Sequence, residues 1–513
     1  MDSRISQKNT PQDNLEQNAL SQYTSQKNTH FLHKLCNLAD VKIARFHLGE
    51  IVLWLCMLLA GVALAILPFS YSYISIKIPI QLLYIAFGVY LLCFWRNMKA
   101  IKSLILPLSF MAIVVIMAYI SLLYAVNVPE TKKLIRWYLL EPSLFMMMSF
   151  LFTLSLKQSQ QRIFFLLLCC VVFYHPLVTI YDFYINGGGK LGYRAMLPHY
   201  HIPATGYSFY LLFAFGFAYI GFLKTKGFIK YIYGIFALLG IYAFVCNGGR
   251  FAALALIVMI CAPLAFFVYK RKKIALLGLF ITLCFGAFVL YHFSSSWQDR
   301  FNFYKIVNNF SQVWHTPPAE MGQYLNGACQ NDPWLICSPH SLNKHSQIYM
   351  EYSSLARVST LKSTLLAIVD NPLRPNGYHF QQFPFNIQQV FPLDSINHPF
   401  SLAPYKDTFI SHNTHNHNYP SSVWFELGLV GFIGFSLFVG YFFYALYKAK
   451  IDFSSKDFAS ANVSYIFVGS IGLALLGLIV ANVFDCFPVR EGQLFLFVLC
   501  GVFLAHFRIL KDS

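Results

Sequence analysis

Acidic residues are scarce in this chain: 21 Asp and Glu stand against 38 Lys and Arg, and charged residues of both signs fill only 12% of its 513 positions. So thin a charge cannot cover the surface of a water-soluble protein of this length, and with 57% hydrophobic residues it also excludes a disordered chain. Other signals are missing as well. There is no HExxH helix, no paired-cysteine set with zinc spacing and no Walker pattern, so neither a metal site nor a nucleotide-phosphate cradle is expected. The N-terminal stretch has no short apolar core with a cleavage site, which argues against a signal peptide. The net charge of +17 is dispersed in small groups rather than gathered into a stripe, so no nucleic-acid partner is expected.

What the chain does have is repeated apolar runs of about 20 residues, enough for a helix to cross a hydrocarbon core about 30 Å thick. The pattern predicts an all-α polytopic membrane protein with about twelve spans: 50–69, 77–95, 103–125, 137–156, 163–185, 203–223, 227–246, 251–269, 274–293, 423–447, 464–485 and 488–507. Basic residues mark every second connection: Arg96, Lys99 and Lys102; Lys157 and Arg162; Lys224, Lys226 and Lys230; Lys270 to Lys273; and Lys448, Lys450 and Lys456. Cytoplasmic loops carry such an excess, so both termini are expected in the cytoplasm. Five regions follow: a cytoplasmic, partly disordered segment 1–48; spans one to nine over 49–293; a large periplasmic loop 294–421; spans ten to twelve over 422–508; and a cytoplasmic tail 509–513. In the large loop, basic and acidic residues balance, which suits a translocated segment. It also holds Cys329 and Cys337, a candidate disulfide in an oxidising compartment, with two unpaired thiols as the alternative.

Topology accounts for the cytoplasmic lysines but not for basic residues on the opposite side. Lys132, Lys133 and Arg136, then Lys190 and Arg194, then Arg250 and Arg490 fall at outer helix ends or short outer loops. A guanidinium offers a planar fork of donors suited to phosphate, whereas simple snorkelling to the interface needs no ligand. Arg250 follows the paired glycines of Asn247-Gly248-Gly249 at a helix start, where free backbone N–H groups also favour an anion. Lys190 and Arg194 follow the glycine-rich Asn186 to Gly189. Arg357 lies in a stretch, Ser346 to Asp370, whose apolar residues recur at helical spacing and predict an amphipathic helix ended by Asn371-Pro372. It is either a functional cation or an ordinary polar-face residue.

At the end of the large loop, His412, His415 and His417 crowd together. Metal binding and a surface turn without a role are alternatives to catalysis. Pro420 suits the first turn of a helix, which sets His417 just before a helix N-terminus at the membrane boundary. An imidazole there can take a proton from an attacking hydroxyl near neutral pH, and the helix dipole keeps it neutral. Gly428 and Gly431 are expected to share one face of that helix and allow close packing. Glu141 and Glu426 lie inside apolar spans, where acids are functional or paired, and neither receives a role from sequence.

At these residues the chain resembles the O-antigen ligase and polymerase superfamily of bacterial inner membranes. The pattern His-(Asn/Ser/Gln)-x9-Gly-x-x-(Gly/Thr/Tyr) is met by His417, Asn418, Gly428 and Gly431. An arginine turn appears as Asn247-Gly248-Gly249-Arg250, with Gly248 where serine is more usual. A Pro-Leu-Phe-Gly-x-Gly element after an arginine-bearing helix is matched from Asn371 to His379, with Arg374-Pro375-Asn376 interrupting it. The resemblance implies a glycosyltransferase, without metal or other cofactor, acting on the periplasmic face of the inner membrane. The donor would be a glycan on undecaprenyl diphosphate and the acceptor lipid A-core. It further implies that His417, Arg250 and Arg357 are catalytic and that Arg194, Asn418 and Lys190 bind substrate. O-antigen polymerase and protein O-oligosaccharyltransferase use the same donor. A lipid-linked oligosaccharide transporter is the alternative from another class; it would call for internal repeats and mid-membrane polar residues.

Overall fold

Apolar stretches removed from water must satisfy their backbone groups internally, which selects helices. The computed structural model describes residues 42–43, 46–69, 75–186, 204–247, 254–263, short pieces between 307 and 315, 328–329, 332–337, 349–390, 416–449, 463–483 and 490–512. Its helices are α1 Leu48–Ile66, α2 Lys77–Phe94, α3 Ile105–Ile120, α4 Val128–Ile135, α5 Glu141–Ser155, α6 Gln158–Asn186, α7 Ala204–Lys224, α8 Gly227–Asn247 and α9 Leu254–Pro263. They continue with α10 Tyr352–Asp370, α11 Phe383–Val390, α12 Tyr419–Lys448, α13 Val463–Asn482 and α14 Arg490–Asp512. Among the described residues the extended pieces are short: β1 Lys42–Ile43 with β2 Phe46–His47, and an antiparallel trio of β3 Ala328–Cys329, β4 Asp332–Cys337 and β5 Tyr349–Glu351.

Eight stretches among the described residues are long and apolar enough to cross a membrane. One of these, Lys77–Tyr124, runs through two expected spans, with a 3-10 segment over Trp95–Leu104 between α2 and α3. The shorter apolar helices Ser208–Lys224 and Leu254–Pro263 fall on two more, and the expected span 274–293 lies outside the described residues. A total of twelve therefore remains an expectation. The outward faces support a lipid surround: Leu123 is 80% exposed, Ile105 71% and Val245 70%. Water would penalise such a surface, whereas acyl chains do not. The protein is a multi-pass membrane protein.

The interior pairs α5 with α14, α7 with α8 and α13, and α3 with α12. Gly501 of α14 lies against the Met146 carbonyl and Ser149 hydroxyl of α5, with no room for a Cβ, and the Ser149 hydroxyl donates to the Val498 carbonyl at 2.9 Å. Small residues and such interhelical hydrogen bonds are what hold helices together when lipid removes the hydrophobic drive.

At the opposite end of the same pair, Arg490 of α14 and Glu141 of α5 form an ion pair at 2.6 Å, with Arg136 on the other carboxylate oxygen at 3.3 Å. The Arg490 guanidinium also lies over Trp137, 4.3 Å from its ring centroid. Arg490, grouped from sequence with cations awaiting an anionic ligand, is thus already matched by a buried acid, and Glu141 acquires the paired role that the sequence left open. The Glu141 side chain is 6% exposed and the Arg490 side chain 14%. Arg490→Ala should therefore lower the thermal stability of the purified protein by on the order of 3 kcal/mol, since it strips a buried carboxylate of its nearest cation. Arg490→Ala combined with Glu141→Gln should recover much of that loss in the same melting measurement.

Candidate functional site

His417 sits where a helix begins, and the sequence around it explains how it is held. Asn418 is the N-cap of α12: its side-chain oxygen accepts from the Ser421 backbone N–H at 2.9 Å, and Pro420 occupies the first turn. The other end of the same amide donates to the Val483 carbonyl at 2.7 Å, tying the start of α12 to the end of α13. One residue before the histidine, buried Asn416 donates to the Ser421 hydroxyl at 2.7 Å and accepts from the Asn418 N–H at 3.2 Å. Two asparagines thus pin the chain on either side of the half-buried His417. The sequence-based reading of Asn418 as a substrate ligand meets an amide whose two ends are engaged within the protein. Asn416 carries no motif and was missed; the alternation of His and Asn over 415–418 is the only signal it left.

Gly428 departs from the expected picture. Two glycines three apart share a face only if the helix is continuous, and at Gly428 it is not: φ is 68° and ψ is 176°. In an unbroken helix the Phe425 carbonyl would accept from the Leu429 N–H. Here both groups find partners in the loop 371–379. The Phe425 carbonyl accepts from the Asn376 backbone N–H and side-chain amide, each at 3.1 Å, while the Leu429 N–H donates to the Pro372 carbonyl at 2.9 Å. The Trp424 indole adds a bond to the same Pro372 carbonyl at 2.9 Å. The loop is spliced into the helix, and both groups of the broken 425–429 pair are satisfied by it. A Cβ at Gly428 would collide with the Leu373 carbonyl oxygen, so only glycine suits both the positive φ and the contact. Gly431 acts differently: it lets α12 approach Met117 of α3, whose Cβ would lie 3.2 Å from a Cβ placed there.

The helix that delivers this loop is α10. The sequence periodicity started it at Ser346, but the helix begins at Tyr352, because Tyr349–Glu351 pair with β4 as β5. Its last turns bury Ala367 and Ile368 against Phe383 and Ile387 of α11 and Phe425 of α12, with Leu365 and Trp424 at the edge. This small apolar core fixes the loop against α12. Arg357, half-buried, lies on α10 about three turns upstream of Ala367 and Ile368.

Beyond the splice, the chain turns through Gly377 (φ 103°) and His379 (φ 90°). Asn386 of α11 donates to the Gly377 carbonyl at 3.1 Å, and the buried Glu426 carboxylate accepts the His379 backbone N–H at 2.8 Å. The His379 ring lies on Tyr138, with centroids 3.9 Å apart. Tyr138 belongs to a π-helical turn, Arg136–Leu140, of the kind often found at functional sites, and its carbonyl accepts from Gln493 of α14 at 3.2 Å. Burial pushes the neighbouring Tyr378 phenol well above its ordinary range, so it stays a neutral hydrogen-bonding group.

These residues form the polar end of a cavity of about 460 Å³. Tyr138, Tyr378, His379, Tyr419, Glu426 and Gln493 line that end; the rest runs along α12 past Phe435, Phe438 and Phe442 to Leu446, walled by Leu475 and Leu478 of α13 and Leu496 and Cys500 of α14. Its shape and lining suit an amphiphile, with apolar length and a polar head. His417 lies two residues before the lining Tyr419 in the chain.

The structure thus places Gly428 and Gly431 on α12 and His417 and Asn418 just before it, and packs Arg357's helix against α12. Lys190, Arg194 and Arg250 lie outside the described residues, as do His412 and His415. Cys329 and Cys337 fall on the neighbouring strands β3 and β4, with their side chains outside what is described. Sequence reasoning missed Asn376 and His379 and weighed Glu426 without assigning it. The Asn376-Gly377 pair, a turn signature, was the available signal for the first.

No curated protein matches the chain. Residues 235–436 match the family model described as O-Antigen ligase, a segment that includes Arg250, Arg357, the spliced loop, His417, Asn418, Gly428 and Gly431. The resemblance read from the motifs is borne out by that match, which makes this segment similar to the O-antigen ligase family.

Proposed function

We propose that the protein is an O-antigen ligase, moving a glycan from undecaprenyl diphosphate to a sugar hydroxyl of lipid A-core at the periplasmic face of the inner membrane. The observation that carries this reading is the position of His417, just before the start of α12 and two residues from the cavity-lining Tyr419, within the segment that matches the ligase family. In the reaction the acceptor oxygen attacks the anomeric carbon while the bond from that carbon to the diphosphate oxygen breaks. The lipid diphosphate leaves with the electron pair, and the acceptor proton passes to the His417 imidazole. Arg250, Arg357, Arg194 and Lys190 supply positive charge for the diphosphate, the kind of electrostatic stabilisation that often carries most of a rate enhancement. Asn418 serves by holding the start of α12. No metal has a part in this scheme.

The cavity accommodates part of a polyprenyl chain, which supports a lipid-linked donor over a water-soluble one. The exact His-Asn-x9-Gly-x-x-Gly pattern favours a ligase; a polymerase or a protein O-oligosaccharyltransferase would use the same donor with another acceptor.

The deciding experiment is transfer by the purified protein in detergent with EDTA, from polyprenyl-diphosphate glycan to lipid A-core. Product that persists in EDTA supports a metal-independent ligase. Growth of the lipid-linked glycan, or labelling of a protein acceptor, would overturn the ligase assignment and leave the family standing.

A further inference from the structure

His379 has three properties that a residue filling space does not need together. It is only 3% exposed and lines the polar end of the cavity. Its backbone has φ 90°, a region where a side chain with a Cβ is strained and where glycine would be relaxed. And it is held there from several sides: Glu426 accepts its N–H at 2.8 Å, its carbonyl accepts from the Gln382 N–H at 2.9 Å, and Tyr138 covers its ring. Strain of this kind persists only where surrounding contacts over-determine it, and it gathers at ligand-binding sites.

The ring's protonation follows from its contacts. The Gln381 backbone N–H points to Nδ1 at 3.4 Å, so Nδ1 accepts and the proton of the neutral ring sits on Nε2. Glu426 completes the arrangement. Its carboxylate faces the same cavity, on the helix turn just before the Gly428 break. The spliced loop and the helix therefore converge on one residue, His379.

We propose that His379 contacts the polar head of the cavity's occupant, donating a hydrogen bond from Nε2 to an oxygen of the glycan–diphosphate, and that Glu426 is the positioning residue that holds it in place. This rests on the transferase reading above and adds to it a second histidine, separate from the proton-accepting His417.

His379→Gly is the informative variant, because glycine relaxes the positive φ while removing the imidazole. Its melting temperature should equal or exceed that of the unaltered protein, while transfer falls on the order of tenfold or more. Added imidazole should restore part of the rate. Glu426→Ala should lose transfer similarly, and Glu426→Gln, which keeps an acceptor for the His379 N–H, should retain more of it than Glu426→Ala. A His379→Gly protein with unchanged kcat and KM would overturn the proposal, and so would a loss that imidazole does not relieve. If the unaltered protein transfers no glycan to any acceptor, the transferase reading fails by itself. The histidine is then judged by thermal stabilisation with polyprenyl-diphosphate glycan: a shift reduced in His379→Gly supports the contact, and equal shifts in both proteins overturn it.

Discussion

His417→Ala is expected to reduce glycan transfer by about 10²- to 10⁴-fold, the usual contribution of a positioned general base, while leaving the protein in the membrane at its normal level. The structural half of this expectation comes from the asparagines. The N-cap bond from Asn418 to Ser421, the Asn418 bond to Val483 and the Asn416 bond to Ser421 all survive deletion of the imidazole. The start of α12 therefore keeps its anchor, and the melting temperature should move little. Arg250→Ala should behave alike in rate, since loss of a phosphate-directed guanidinium weakens charge stabilisation in the transition state. Membrane content by immunoblot and melting of the purified variants separate this from misfolding. Should His417→Ala disappear from the membrane, or transfer at the normal rate, the histidine has no catalytic part. By contrast, Asn418→Ala removes a cap worth about 1 kcal/mol and should lower stability as well as rate.

The second large effect is expected from Gly428→Ala. The left-handed backbone alone costs about 1–2 kcal/mol for a residue with a Cβ, and the collision with the Leu373 carbonyl adds overpacking of about 1–3 kcal/mol. Relief requires the loop 371–379 to withdraw, and that withdrawal strands the Phe425 carbonyl and Leu429 N–H at the break. Both melting temperature and transfer should fall together. Gly431→Ala is the internal comparison: the backbone there is helical, so the added methyl meets the Leu427 and Met117 Cβ atoms without the cost of a positive φ. Its effect should be smaller. Equal losses in the two variants would mean that crowding, and not the spliced break, is what glycine serves at position 428.

Much of the architecture could be read from the chain because membrane helices obey a local rule. An apolar run must close its own hydrogen bonds, so α1, α2, α3, α8, α12 and α13 lie close to their expected bounds. The N-terminal end of α12 was legible for the same reason, since Asn418 and Pro420 act within one turn. Local signals failed where a residue beyond the local segment decides the outcome. The sequence around Tyr349–Glu351 has helical periodicity, yet pairing with β4 took those residues into a strand. Gly428 looked like a packing glycine, because nothing near it in sequence reveals that Asn376 would claim the Phe425 carbonyl. Arg490 looked like a cation awaiting a ligand, because its acid, Glu141, lies on another helix.

The sequence by itself therefore determined the class of the protein, its lipid-facing helices and the His417-Asn418 to Gly428-Gly431 signature, all set by hydropathy, capping and short spacing. Tertiary structure alone decided the break in α12, the left-handed His379 held by Glu426, and the cavity between α12, α13 and α14. The physical reason is the range of the interactions involved: burial in lipid and helix capping act on neighbours in the chain, whereas a carbonyl released by one helix can be claimed by any donor that folding brings within 3 Å.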